Sequence, residues 1–69
     1  MTAGIGIRLN GEERRVAAAT VAALLAELGL PAQKVAVERN LEIVPRSLYA
    51  ETRLRPGDAI EIVHFIGGG

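Results

Sequence analysis

Apolar residues at Ile5, Ile7 and Leu9 alternate with Gly6 and Arg8, the period of a strand with one covered face. Asn10-Gly11 follows, a dipeptide that readily supplies the positive backbone dihedrals of a tight hairpin turn, and Glu12 to Val16 provides the returning strand. From Thr20 the period changes. Val21, Leu24, Leu25 and Leu28 fall at i, i+3, i+4 and i+7, the stripe of an amphipathic helix, with alanines filling much of the rest. Thr20 is placed to cap its start through the hydroxyl, Gly29 to take the left-handed conformation just past its end, and Pro31 to prevent continuation.

Val35 and Val37 alternate with Ala36 and Glu38 in a short strand that leads through Arg39 and Asn40 towards Leu41, Ile43 and Val44, where the pattern is less regular. Val44-Pro45 calls for an extended residue followed by a break, and Arg46 to Tyr49 for a single helical turn. Arg55-Pro56-Gly57-Asp58 suits a type II turn. The last strand starts near Ala59, with Ile60, Ile62 and His64 on one face and Glu61, Val63 and Phe65 on the other. This order predicts an α+β domain over residues 1–66: a mixed sheet of four to five strands with one main helix packed on one face. A β-grasp (ubiquitin-like) architecture fits, and residues 67–69 are left as a glycine tail.

Composition narrows the chemistry. At 69 residues, 49% of them apolar, the chain holds one small core and no second domain. It has no cysteine and one histidine, His64, so neither a disulfide framework nor a zinc site of Cys and His is available, and a side-chain thiol cannot carry sulfur. Eight basic and eight acidic side chains balance, with one Tyr and one Phe as stacking surfaces, which argues against nucleic acid as a partner. The apolar runs are too short for a membrane span, and the N-terminus lacks the pattern of a signal peptide, so the expected location is cytoplasmic.

The chain ends Ile66-Gly67-Gly68-Gly69, directly after a well-marked strand. With glycine at roughly 7% of residues, three together at a terminus arise by chance in about 0.03% of chains. A frayed end accounts for such a tail without function. The functional alternative has a physical reason: without Cβ atoms, glycines thread a narrow channel and adopt dihedrals closed to other residues. Three of them carry the terminal carboxylate roughly 10 Å beyond the folded body. Attack of that carboxylate on the α-phosphate of ATP gives an acyl adenylate, and sulfur then displaces AMP to leave a thiocarboxylate.

Val35 to Arg46, reading V-A-V-E-R-N-L-E-I-V-P-R, together with Gly57-Asp58 and the glycine tail, resembles the ThiS family of sulfur carriers of thiamine biosynthesis. The resemblance spans nearly the whole chain. It implies the β-grasp fold, with the first and last strands parallel at the sheet centre. It also implies activation by a ThiF-like adenylyltransferase related to ubiquitin-activating enzymes, sulfur from a donor protein or sulfide, and delivery to thiazole synthase. Gly68 and Gly69 match the family's diglycine, so Gly69 would bear the adenylate and then the thiocarboxylate, with Gly67 extending the tail. The chain would then be no enzyme and would bind no cofactor, ATP being used by the activating enzyme. The small subunit of molybdopterin synthase shares fold and tail but typically has a proline-containing stretch before the glycines, where this chain has Val63-His64-Phe65-Ile66. Carriers for other sulfur-requiring pathways, and a β-grasp binding module whose tail has no chemistry, remain alternatives.

Val63 and Phe65 are expected on the sheet face opposite the helix, where no second layer is available, and with Ile66 they form the candidate partner-binding surface. A lone His64 with no second catalytic group at a defined spacing is not a general base. The arginines at 14, 15, 46, 53 and 55 are interleaved with Glu12, Glu13, Glu51 and Asp58, which reads as a solvated surface of mixed charge.

Overall fold

The structure, a computed structural model, describes residues 4–65. Strand β1 (Ile5–Leu9) turns at Asn10-Gly11 into β2 (Glu12–Val16), both turn residues having positive φ, as the tightest hairpins require. Helix α1 (Val21–Leu28) follows, then a 3-10 turn at Ala32–Lys34. Strands β3 (Val35–Arg39) and β4 (Glu42–Val44), a second 3-10 turn at Arg46–Leu48 and β5 (Ala59–His64) complete the chain. The five strands form one sheet in the order β2-β1-β5-β3-β4. β1 and β5 run parallel at its centre and the other neighbours are antiparallel, which is the mixed sheet expected of a β-grasp domain.

Both helix ends are fixed by the residues that mark them in the sequence. Val21 donates to the Thr52 carbonyl at 3.0 Å, Ala22 to the Tyr49 carbonyl at 2.9 Å and Ala23 to the Thr20 hydroxyl at 3.1 Å, so the first free N–H groups of α1 are all satisfied. Gly29 closes the other end at φ +73°, and Leu30 donates back to the Leu25 carbonyl at 2.9 Å. Between these caps Val21, Leu24 and Leu25 pack on Ile7, Val16, Val35, Val37 and Ile60, with Val44, Tyr49 and Leu54 closing the margin of the core.

The irregular stretch after Arg39 proves to be a second two-residue hairpin, at Asn40-Leu41, with φ of +53° and +72°. Asparagine tolerates that region, whereas leucine does so at a cost because its Cβ crowds the following carbonyl. Leu41 is nevertheless there, and 88% exposed, so no packing offsets the strain.

The expectation that Asp58 belongs to a solvated mixed-charge surface is overturned: its side chain is buried at the start of β5. Its carboxylate accepts from Arg39 Nε at 2.8 Å, from Asn40 Nδ2 at 3.1 Å and from the Arg55 N–H at 2.8 Å. The sequence places Arg39 and Asn40 in another element, and only the β3–β5 register brings them to the Pro56-Gly57 turn. Burial opposes ionisation of Asp58. The hydrogen bonds from the Arg55 backbone, Asn40 and Arg39, together with the Arg39 charge, outweigh it and hold the carboxyl below its usual value.

Two outcomes follow for stability. Leu41→Gly should raise it by about 0.5 kcal/mol in chemical denaturation, the relief of left-handed strain exceeding the added chain entropy of glycine; a lower denaturation midpoint would contradict this account. Because the pKa of Asp58 is lower folded than unfolded, the unfolded chain takes up the proton first. Its contribution is therefore complete above about pH 3.9 and is lost as pH falls through the folded-state value. Asp58→Asn should cost about 1–3 kcal/mol at neutral pH and flatten the acid limb of a stability-against-pH curve; an unchanged acid limb would assign that loss to other carboxylates.

Candidate functional site

β5 carries the predicted site, and its neighbours account for where its side chains point. Against β3 it is paired over its length, from Arg39 opposite Ile60 to Val35 opposite His64, and the Phe65 N–H continues the ladder to the Lys34 carbonyl at 2.8 Å. Against β1 the registered pairing is short, Arg8 with Ala59 and Leu9 with Ile60. Where β1 turns away, Asn10 takes over. Its N–H donates to the Ile60 carbonyl and its Oδ1 accepts the Ile62 N–H, both at 2.8 Å. Asn40, in the hairpin on the other side, repeats the pattern at the strand's start: its N–H donates to the Ala59 carbonyl at 2.8 Å and its Oδ1 accepts the Ala59 N–H at 2.9 Å.

With that register fixed, Ile60 lies in the core and Ile62 packs at its margin, while Glu61 and Val63 face away from α1. Val63 is 58% exposed and Phe65 48%, as the alternation along the strand predicts. His64 is exposed at the end of the strand. Ile66, Gly67, Gly68 and Gly69 lie outside the described residues.

Three residues that the sequence reading did not single out share the face of Val63. Ala36 is opposite Val63, Glu38 is opposite Glu61, and Ile43 of β4 is opposite Glu38. Their parity was legible, since Val35, Val37 and Val44 mark the covered side, but which residues are neighbours depends on registers between strands distant in sequence.

The described part of the site is a surface and not a cleft. A depression of about 440 Å³ beside the first hairpin is lined by Leu9, Asn10, Glu12, Glu13 and Arg14, a charged rim with no nucleophile. Among the described residues no three His, Cys, Asp or Glu side chains come together to hold a metal ion. No helix is long and apolar enough to cross a membrane. What the described residues offer is a strand anchored on both sides, with an apolar flank at Val63 and Phe65.

Comparison with known proteins gives this arrangement a context. The model of the ThiS family matches residues 7–69. The sulfur carrier protein ThiS of Bacillus subtilis is 43% identical over 65 residues, which cover 91% of this chain and 98% of that protein. Thiazole synthases of Paramagnetospirillum magneticum and Magnetococcus marinus are 63% and 50% identical over 62 and 64 residues, and there the chain spans only about a fifth of the relative, 19% and 20% of its length. The crystal structure of the thiamine biosynthesis protein ThiS from Geobacter metallireducens superposes with a TM-score of 0.79 at 35% identity, covering 94% of this chain and all of that one.

Proposed function

This chain belongs to the ThiS family, and from that membership we propose that it is a sulfur carrier of thiamine biosynthesis that works through the carboxylate of Gly69. The observation that carries the reading is the match to a sulfur carrier over almost the full length of both chains, with β5 leading into the glycines. In this reading the carboxylate oxygen of Gly69 attacks the α-phosphorus of ATP on a ThiF-like adenylyltransferase, and pyrophosphate leaves. Sulfide then attacks the acyl carbon, the C–O bond to AMP breaks and a thiocarboxylate remains; where the persulfide of a donor protein attacks instead, AMP leaves and a thiol must reduce the S–S bond of the acyl disulfide to free the thiocarboxylate. Its nucleophilic sulfur goes to thiazole synthase for the thiazole moiety of thiamine.

The chain's own part is to bind, present and reach. Val63 and Phe65, with Ile66, supply the apolar contact beside the tail; Gly67 and Gly68 pass through a narrow entry; Gly69 bears the reacting carbon. No bond in this sequence is made or broken by a side chain of the carrier, so it is not itself an enzyme and needs no resident cofactor. Because the proposed activation consumes ATP, the location proposed with it is the cytoplasm. The choice of thiazole synthase as acceptor is supported by the two relatives of that name, in which the matching segment and the rest of a synthase share one polypeptide.

The test is the intact mass of the purified chain after incubation with ATP, sulfide and a ThiF-like adenylyltransferase. The expected result is a gain equal to sulfur replacing oxygen, confined by fragmentation to Gly69, absent without ATP and absent when Gly68 and Gly69 are deleted. Fragmentation matters because oxidation of Met1 adds almost the same nominal mass. An unmodified terminus beside an adenylyltransferase that modifies another carrier would overturn the proposal in favour of a β-grasp binding module.

A further inference from the structure

The end of β5 nearest the glycines is held unequally on its two sides. Ala59, Glu61, Val63 and Phe65 turn their backbone groups towards β3, whose ladder runs on to the bond from the Phe65 N–H to the Lys34 carbonyl at 2.8 Å. Ile60 and Ile62 turn theirs towards β1, whose register ends where Leu9 faces Ile60. Past that point a single side chain serves the β1 side. Asn10 accepts the Ile62 N–H through Oδ1 at 2.8 Å and donates through Nδ2 to the Ile62 carbonyl at 3.4 Å. Among the described residues these are the last bonds that the β1 side makes to β5; Phe65 follows three residues later and Gly69 seven. The backbone of β1 cannot make them, because at Asn10, with φ of +50°, the chain already turns into β2.

We propose that Asn10 is a positioning residue for the activation of Gly69: by holding Ile62 it fixes the point at which β5 leaves the sheet, and so limits the length of chain between the fold and the reacting carboxylate. The reaction is that of the carrier reading above, on which the proposal rests; the latch rests on the hydrogen bonds. Without the side chain, Ile62 to Phe65 is paired on one side alone, and a strand end held by one ladder opens more readily than one held by two. Opening at Val63 to Phe65 lengthens the segment beyond the last anchor from residues 66–69 to residues 63–69. The local concentration of a tethered group falls with roughly the three-halves power of tether length, so this change dilutes the carboxylate at a partner's active site about twofold. It also removes Val63 and Phe65 from the places where they flank the tail. Both effects act on encounter and not on the bonds made and broken at Gly69, so the KM of the carrier rises while kcat stays. Asn40 provides the contrast. It has a similar φ of +53° and its amide also bonds β5, but at Ala59, the end away from the glycines.

The experiment sets Asn10→Gly, Asn10→Asp and Asn40→Gly beside the wild-type full chain. Glycine accepts the positive φ of both hairpins, so each glycine variant removes an amide side chain without straining its turn, whereas aspartate keeps an oxygen to accept the Ile62 N–H. Amide hydrogen exchange is read at Ile62 and Phe65, stability by chemical denaturation, and ATP-dependent modification of Gly69 by a ThiF-like adenylyltransferase as separate kcat and KM for the carrier. Asn10→Gly should speed exchange at both amides by about fivefold, the fold-change of one ordinary hydrogen bond. It should raise KM at least about twofold with kcat unchanged, and Asn10→Asp should restore both readouts. Asn40→Gly should lower the denaturation midpoint, through its lost bonds to Asp58 and Ala59, and leave KM at the wild-type value. A KM that tracks the denaturation midpoint across the variants, Asn40→Gly included, reduces the latch to a matter of stability and overturns the proposal. So does unchanged exchange in Asn10→Gly, or faster exchange with unchanged KM. Any of these beside a wild type modified at Gly69 sinks the role of Asn10 and leaves the carrier reading; a wild type left unmodified by an adenylyltransferase that is active on another carrier sinks both.

Discussion

The central position of β5 is the constraint on which the rest of the domain depends. A strand between two others must have both rows of backbone groups satisfied, because a buried unpaired N–H or C=O costs as much as a lost hydrogen bond. β3 meets this along one side as far as Phe65. On the other side β1 pairs over two registered residues before it must turn, and Asn10 supplies the continuation from within the turn. The same residue type thus serves two requirements: it accepts the positive φ of a tight hairpin, and its side-chain amide stands in for a further residue of strand. Asn40 does so from the opposite side, where its amide also reaches Asp58.

These latches fix the face that each side chain of β5 takes. Side chains alternate with a period of two, so a slip of one residue in β5 would carry Val63 and Phe65 to the helix side and bring Ile60 and Ile62 out into water. Burial of Ile60 alone opposes such a slip. Asp58 opposes it a second time, because its carboxylate meets Arg39, Asn40 and the Arg55 N–H in one register. The ion pair thus places β5 as well as stabilising the fold, since its geometry is met in one register only.

Much of this was legible in the sequence, for local reasons. Asn10-Gly11, Thr20, Gly29 and Pro56-Gly57 each announce a backbone conformation through their own chemistry, and the alternation from Ile60 to Phe65 assigns faces without knowledge of any neighbour. Three features were not legible. Leu41 gives no turn signal, because leucine disfavours the conformation it adopts there. Asp58 sits in a turn that reads as exposed, and the guanidinium that pairs with it lies in another strand. Glu38 and Glu61 each look like an ordinary outward charge; they become a pair only when β3 and β5 are set side by side.

The two outer strands differ in how their edges are protected. Sheet edges invite pairing with other chains unless they are blunted. β2 is blunted by Glu12, Glu13, Arg14 and Arg15 in succession, and β4 by its length of three residues and by Pro45, which has no N–H to offer. Edge-to-edge addition is disfavoured on both sides, which leaves the side chains of the open face as the accessible apolar surface. There the apolar groups, Ile43, Ala36, Val63 and Phe65, lie towards β4 and the end of β5, whereas Arg8, Glu13 and Arg15 occupy the β1–β2 side. A surface laid on the apolar half would therefore run alongside β5.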